Sequence, residues 1–130
     1  MNIFAPNDNH HPFFNIISEL LADYSNISII LGGDFNTCPQ PNICKSRHPS
    51  LNDMKISKAL VDLCNGARLA DVWRISHGVD RNYTFYSNVH KTYSRIDSLW
   101  VTQDVLSNTS DSKISLPHFK LFQITKMDTK

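Results

Sequence analysis

Two short runs carry residue types suited to chemistry. Gly33-Asp34-Phe35-Asn36 follows an apolar, β-branched run, and Ser94-Arg95-Ile96-Asp97 lies inside a later one. Alternate side chains of an extended segment share a side, so Asp34 and Asn36 point together. One is a charged acceptor, and the other both donates and accepts. Such a pair can hold a water on the carboxylate and a phosphate oxygen on the amide. Alone, Gly-Asp-x-Asn reads more often as a turn, because Asp and Asn tolerate tight conformations. Asp97 is an acid on an otherwise apolar strand face, and a buried carboxylate is costly unless paired or liganded. The chain has no Gly-rich phosphate loop, His-x-x-x-His zinc pair or Gly-x-Ser-x-Gly elbow.

The elements that must position these residues are legible in outline. Residues 1–7 open as a short β run that stops at Pro6. Phe13, Phe14, Ile16, Ile17, Leu20 and Leu21 recur at helical spacing and predict a helix over about 12–24, with Glu19 on its polar side. Ile27–Leu31 reads as a strand buried on both faces and ending at Gly32-Gly33, with Asp34 just beyond its end. Residues 38–52, with three prolines, read as a loop. A helix is expected over about 53–65, with Gly66 after its end. Residues 69–74 lead into a loop with Gly78. Tyr83–Ser87 and Thr92–Thr102 read as a hairpin around 88–91, with Ile96 and Trp100 on one face and Asp97, Leu99 and Val101 on the other. Residues 114–124 read as a weak last strand broken by Pro117.

Composition bounds the function classes. The 130 residues are 41% hydrophobic and 19% charged, enough for one domain and too apolar for intrinsic disorder. No window approaches the ~20 apolar residues of a membrane span, and the first residues lack the pattern of a secretory signal. Three cysteines, Cys38, Cys44 and Cys64, are expected as reduced thiols rather than a disulfide framework or a zinc site. The net charge of +1 hides an asymmetry: four acids and no Lys or Arg precede Lys45, whereas 13 basic and 8 acidic residues follow from it. The basic half suits a polyanionic partner or a solvated surface. Arg81, Lys91 and Arg95 are open to phosphate contact or to solvation. His10 and His11 are expected to be exposed at a helix start. Of the acids eleven are Asp, and Glu19 is the single Glu.

The ordered blocks 2–7, 32–37, 69–74, 83–87 and 92–97 resemble the endonuclease/exonuclease/phosphatase superfamily, most of all the apurinic-type endonuclease domain of LINE-type retrotransposons. The resemblance covers about residues 1–106. It implies a Mg²⁺-dependent phosphodiester hydrolase acting on DNA. Asp34 would orient and polarise the attacking water, Asn36 would hold the scissile phosphate, and Asp97 would fix the catalytic histidine. Asn7, Thr84 and Ser94 would contact substrate or support the site. The resemblance implies an α+β fold: a partial four-layer αββα sandwich of two packed, mostly antiparallel sheets, here with its N-terminal strands missing. The domain is expected over 1–124, with a tail over 125–130.

The departures matter. The family's metal-binding Asn and Glu lie before the first block, which this chain begins at, so no metal ligand is assigned. Phe4 replaces the family's Tyr. The closing Ser-Asp-His is not recognisable, and His118 in Leu116-Pro117-His118 stands nearest its place. The expectation is a fragment with impaired catalysis, intracellular, and nuclear if it is a retrotransposon product, with no membrane or protein partner. The alternatives are a non-catalytic relic that binds nucleic acid weakly, or a phosphoinositide or sphingolipid phosphodiesterase of the same superfamily.

Overall fold

The computed structural model describes residues 1–8 and 10–109, and the backbone of 112–115 and 121–124. The elements in chain order are β1 (Asn2–Phe4), α1 (His10–Ala22), β2 (Ile30–Asp34), α2 (Pro41–Cys44), α3 (Leu51–Gly66), β3 (Ala70–Asp71), α4 (Val72–His77), β4 (Phe85–Ser87), β5 (Thr92–Ser94), β6 (Asp97–Val101), α5 (Gln103–Ser107), β7 (Ser112–Ser115) and β8 (Leu121–Ile124). They build a mixed α/β structure. Four strands form a sheet in the order β1-β2-β6-β3, while β4-β5 and β7-β8 are two-stranded. Among the described strands only β1 and β2 run parallel; the other pairings are antiparallel. Among the described residues no helix is long and apolar enough to cross a membrane.

The helical periodicities become the core. Phe14, Ile17 and Leu21 of α1 and Leu60, Leu63 and Cys64 of α3 pack on Ile3, Leu31 and Trp100, which share one face of the four-stranded sheet. Burying such side chains contributes about 1.5–3 kcal/mol each. On the opposite face Val101 meets Val72 of α4 and Val105 of α5, with Leu99 and Leu106 beside them. The expected division of β6, Trp100 one way and Leu99 with Val101 the other, is what the two clusters show. β1 is an edge strand whose one described neighbour is β2, and its Phe4 is 80% exposed.

Several boundaries differ from the sequence reading. The strand expected over 27–31 runs instead over Ile30–Asp34, through both glycines. Tertiary packing selects them. Gly33 has φ +138°, and a Cβ there would stand 2.0 Å from the Ile3 carbonyl oxygen, so glycine lets β1 close on β2. At Gly32 a Cβ would come within 2.9 Å of Leu99. The expected loop over 38–52 contains α2, started by Pro41. α3 begins at Leu51, earlier than expected, because Ser50 and Asp53 form a capping box. Asp71 caps α4, where a loop was expected. The single returning strand over 92–102 divides into β5 and β6, which belong to different sheets. His10 is buried inside α1, against the ring of Phe14, and not exposed as expected; His11 is exposed.

Candidate functional site

The site grows from the end of β2. Phe35, fully buried, anchors the turn and donates its N–H to the Ile96 carbonyl at 2.8 Å. Ala5, just past β1, donates its N–H to the Asp34 carbonyl at 2.7 Å. Asn36 adopts φ +52°, a left-handed conformation that Asn tolerates better than most residues. From there its N–H reaches the Asp34 carboxylate at 2.9 Å, and its side-chain amide donates to the Ala5 carbonyl. Asp34 and Asn36 are thus tied to each other and to β1. The amide nitrogen carries two donors, so the bond to Ala5 uses one of them.

Asp97, buried at the start of β6, is the register partner of Asp34 in the antiparallel pairing. Directly paired residues project on the same face, so the two carboxyl groups share one side of the sheet. Thr84 holds the junction beside them. Its buried hydroxyl accepts the N–H of Ile96 at 3.1 Å and of Asp97 at 3.2 Å, while its own N–H donates to the Ser94 carbonyl at 2.9 Å. The structure therefore brings together Asp34, Asn36, Asp97 and Thr84. Ser94 is buried in β5 and pairs across an isolated bridge with Lys45. Asn7 is exposed in the segment after β1. His118 lies outside the described residues.

Two features escaped the sequence reading. Arg95 faces neither phosphate nor solvent. It is 1% exposed, with Nη2 on Asp71 Oδ2 at 2.7 Å and its guanidinium carbon 5.2 Å from the centre of the Trp73 ring. Arg81 instead donates to the carbonyls of Asn42 and Lys45, and Lys91 to the Asn88 side chain. Cys38 and Cys44, expected as thiols, are joined by a disulfide with Cα atoms 6.4 Å apart. The spacing of six gave no sign of it; the bend through Pro39 to α2 brings them within disulfide range. Cys64 remains a free, buried thiol, and burial, with the Asp71 charge adding, pushes its pKa far up.

Among the described residues no group of three or more His, Cys, Asp or Glu is placed to hold a metal ion. The site offers two carboxylates and an amide, which is not a complete ligand set for the expected Mg²⁺. The chemistry that this geometry supports directly is orientation: a carboxylate for a water, an amide donor for an anionic oxygen.

No family model matches the chain. Its sequence is 28% identical over 127 residues to the Transposon TX1 uncharacterized 149 kDa protein of Xenopus laevis, a match that covers 92% of this chain and 9% of that protein. Among solved structures it is similar to the 3'-5' exonuclease NExo from Neisseria meningitidis, with 20% identity, a TM-score of 0.66, and coverage of 92% of this chain and 56% of that one. The 3' phosphatase NExo bound to product DNA hairpin gives a TM-score of 0.65 at 20% identity, over 86% of this chain and 51% of that one. An AP endonuclease from Archaeoglobus fulgidus gives 0.58 at 18% identity, over 87% of this chain and 52% of that one. The chain thus spans about half the length of these structures. Its fold is that of the AP endonucleases and their exonuclease and phosphatase relatives, as the order of its motifs implied.

Proposed function

We propose that the chain is part of a phosphodiester hydrolase, a DNA endonuclease of retrotransposon type, and that it carries the water-orienting and phosphate-holding part of the site. The observation that carries this reading is the pairing of Asp34 with Asp97 across β2 and β6, with Asn36 bonded to the Asp34 carboxylate. The fold of nucleases and the similarity to a transposon protein support it. In this reading the Asp34 carboxylate accepts a hydrogen bond from the attacking water and aims its lone pair at phosphorus. The second N–H of the Asn36 amide donates to a phosphate oxygen. Asp97 holds a histidine, for which His118 is the candidate, in one tautomer. DNA is the proposed partner and the nucleus the proposed place of action.

A second reading, a non-catalytic relic that binds nucleic acid weakly, is favoured by one observation: the described residues assemble no metal-binding group. A plasmid-nicking assay with Mg²⁺ on the full chain and on Asp34→Ala separates the two. Weak nicking that disappears in the variant supports the hydrolase. No nicking, together with salt-sensitive DNA binding, supports the relic. Equal nicking by both proteins overturns the role of Asp34. Turnover of a soluble phosphoinositide without action on DNA moves the substrate to the lipid-headgroup branch of the superfamily.

A further inference from the structure

The Cys38–Cys44 disulfide joins two parts of the molecule that meet at the candidate site. Cys38 follows Asn36 by two residues, just past the turn in which the Asn36 N–H donates to the Asp34 carboxylate. Cys44 ends α2, and the extended stretch that starts at Lys45 runs beside β5. Its carbonyl accepts the Arg95 N–H at 2.9 Å, Lys45 bridges to Ser94, and the Ser46 N–H donates to the Tyr93 carbonyl at 3.0 Å. The covalent bond therefore connects the end of β2, which carries Asp34, to the β5 side, which leads into Asp97.

We propose that this disulfide is a reversible, thiol-responsive clasp whose redox state sets the order of the contact between residues 44–46 and β5. Both cysteines are buried, but the turn that joins them is short and its surface is open. Gln40 and Asn42 are exposed, α2 has four residues, and its N-cap residue Gln40 makes no side-chain capping bond. Local opening of so short and uncapped a turn does not require the core to unfold. A low-molecular-weight thiol such as glutathione then completes a balanced exchange. Its thiolate attacks one sulfur, the S–S bond breaks, and the other cysteine leaves as a thiolate. A second thiol resolves the mixed disulfide, so the protein gains two electrons and two protons and two glutathiones leave as glutathione disulfide. Oxidised glutathione runs the steps backwards. In the dithiol form residues 44–46 keep only their hydrogen bonds to β5 and lose the covalent tie to Cys38 that restrains them in the disulfide form.

The test uses the full chain in buffers of reduced and oxidised glutathione, with amide hydrogen exchange read residue by residue. The expected result is at least ten-fold faster exchange at Arg95 and Ser46 in the reduced chain, unchanged exchange in the β2-β6 ladder, and recovery on reoxidation. The Cys38→Ser, Cys44→Ser double variant should show the reduced pattern and ignore glutathione. Unchanged exchange at Arg95 and Ser46 after reduction overturns the proposal. So does reduction that occurs only with unfolding of the whole chain, a measurement on the unsubstituted protein that stands even if the double variant fails to fold. None of these readouts involves DNA cleavage, so the clasp and the hydrolase reading stand or fall separately.

Discussion

Arg95 sets its guanidinium across the carboxylate of Asp71, Nη2 to Oδ2 at 2.7 Å and Nη1 to Oδ1 at 3.4 Å, with both residues buried. The pair links the β5-β6 junction to the start of α4, because Asp71 Oδ1 also accepts the Arg74 N–H at 3.3 Å. Desolvating two charges is expensive, so such a pair is weak as a net stabiliser but severe when halved. Asp71→Asn keeps a helix-capping side chain while removing the charge. It should cost about 3–5 kcal/mol in urea unfolding, as should Arg95→Met. Replacing both by apolar residues should recover most of that loss. A loss in the double variant equal to the sum of the two single losses would show that the pair carries no coupling.

Thr84 is the hinge-pin of the carboxylate pair. Its hydroxyl accepts two buried backbone N–H groups, those of Ile96 and Asp97. Thr84→Val keeps the shape and leaves both donors unmet, at about 1–3 kcal/mol for each such group. We expect a fall in the unfolding midpoint, faster amide exchange at Asp97, and rescue of both by Thr84→Ser. Failure of serine to rescue would assign the loss to packing of the methyl group instead.

The fold was legible where one physical rule dominates and obscure where distant packing decides. The apolar spacings of α1 and α3 announced helices because burial selects a face at that period. The opposed faces of Trp100 and Val101 followed from strand alternation. The end of β2 was misplaced because Gly32 and Gly33 look like strand breakers in isolation, while here the β1 backbone presses so close at Gly33 that only glycine fits. Within the site, motif order anticipated that Asp34, Asn36, Thr84 and Asp97 come together, but not the extended path assumed for Asp34 and Asn36: Asn36 turns at φ +52° with its N–H on the Asp34 carboxylate, the turn such residues favour. Arg95 was misread because its partner Asp71 lies 24 residues away, and no local pattern links them. The Cys38–Cys44 bond depends on a bend whose path the sequence does not specify.

Gly33 gives a sharp test of the edge strand. Alanine there would place a Cβ on the Ile3 carbonyl at a φ of +138°. Both effects act on the β1-β2 pairing, which also carries the Ala5 bond to Asp34. Gly33→Ala should destabilise by more than the ~1 kcal/mol typical of a strained Gly→Ala change. Gly66→Ala, where a Cβ meets nothing within 4 Å, should be close to neutral. Chemical denaturation of the two variants compares them directly, and similar losses at both positions would mean that β1 does not hold its place against β2.

His10 makes stability depend on pH in a definite direction. Burial against Phe14 disfavours the imidazolium, Asp8 opposes that effect, and His11 adds to it, so the pKa falls below its ordinary 6.5. A base with a depressed folded pKa binds a proton in the unfolded chain before it does in the folded one. Stability is therefore fully present above 6.5, declines as pH falls through that value, and levels off below the folded pKa. Asp53, half-buried, titrates in a separate and more acidic window. Burial raises its pKa, but the Ser50 N–H and hydroxyl with Lys45 and Arg47 more than offset this, so its contribution is lost only as pH falls through a depressed carboxylate value. His10→Phe keeps a ring beside Phe14 and removes the titration. Unfolding midpoints measured from about pH 7.5 to about pH 5.5 should fall less steeply for the variant than for the parent chain. Parallel slopes would place the proton uptake on another group.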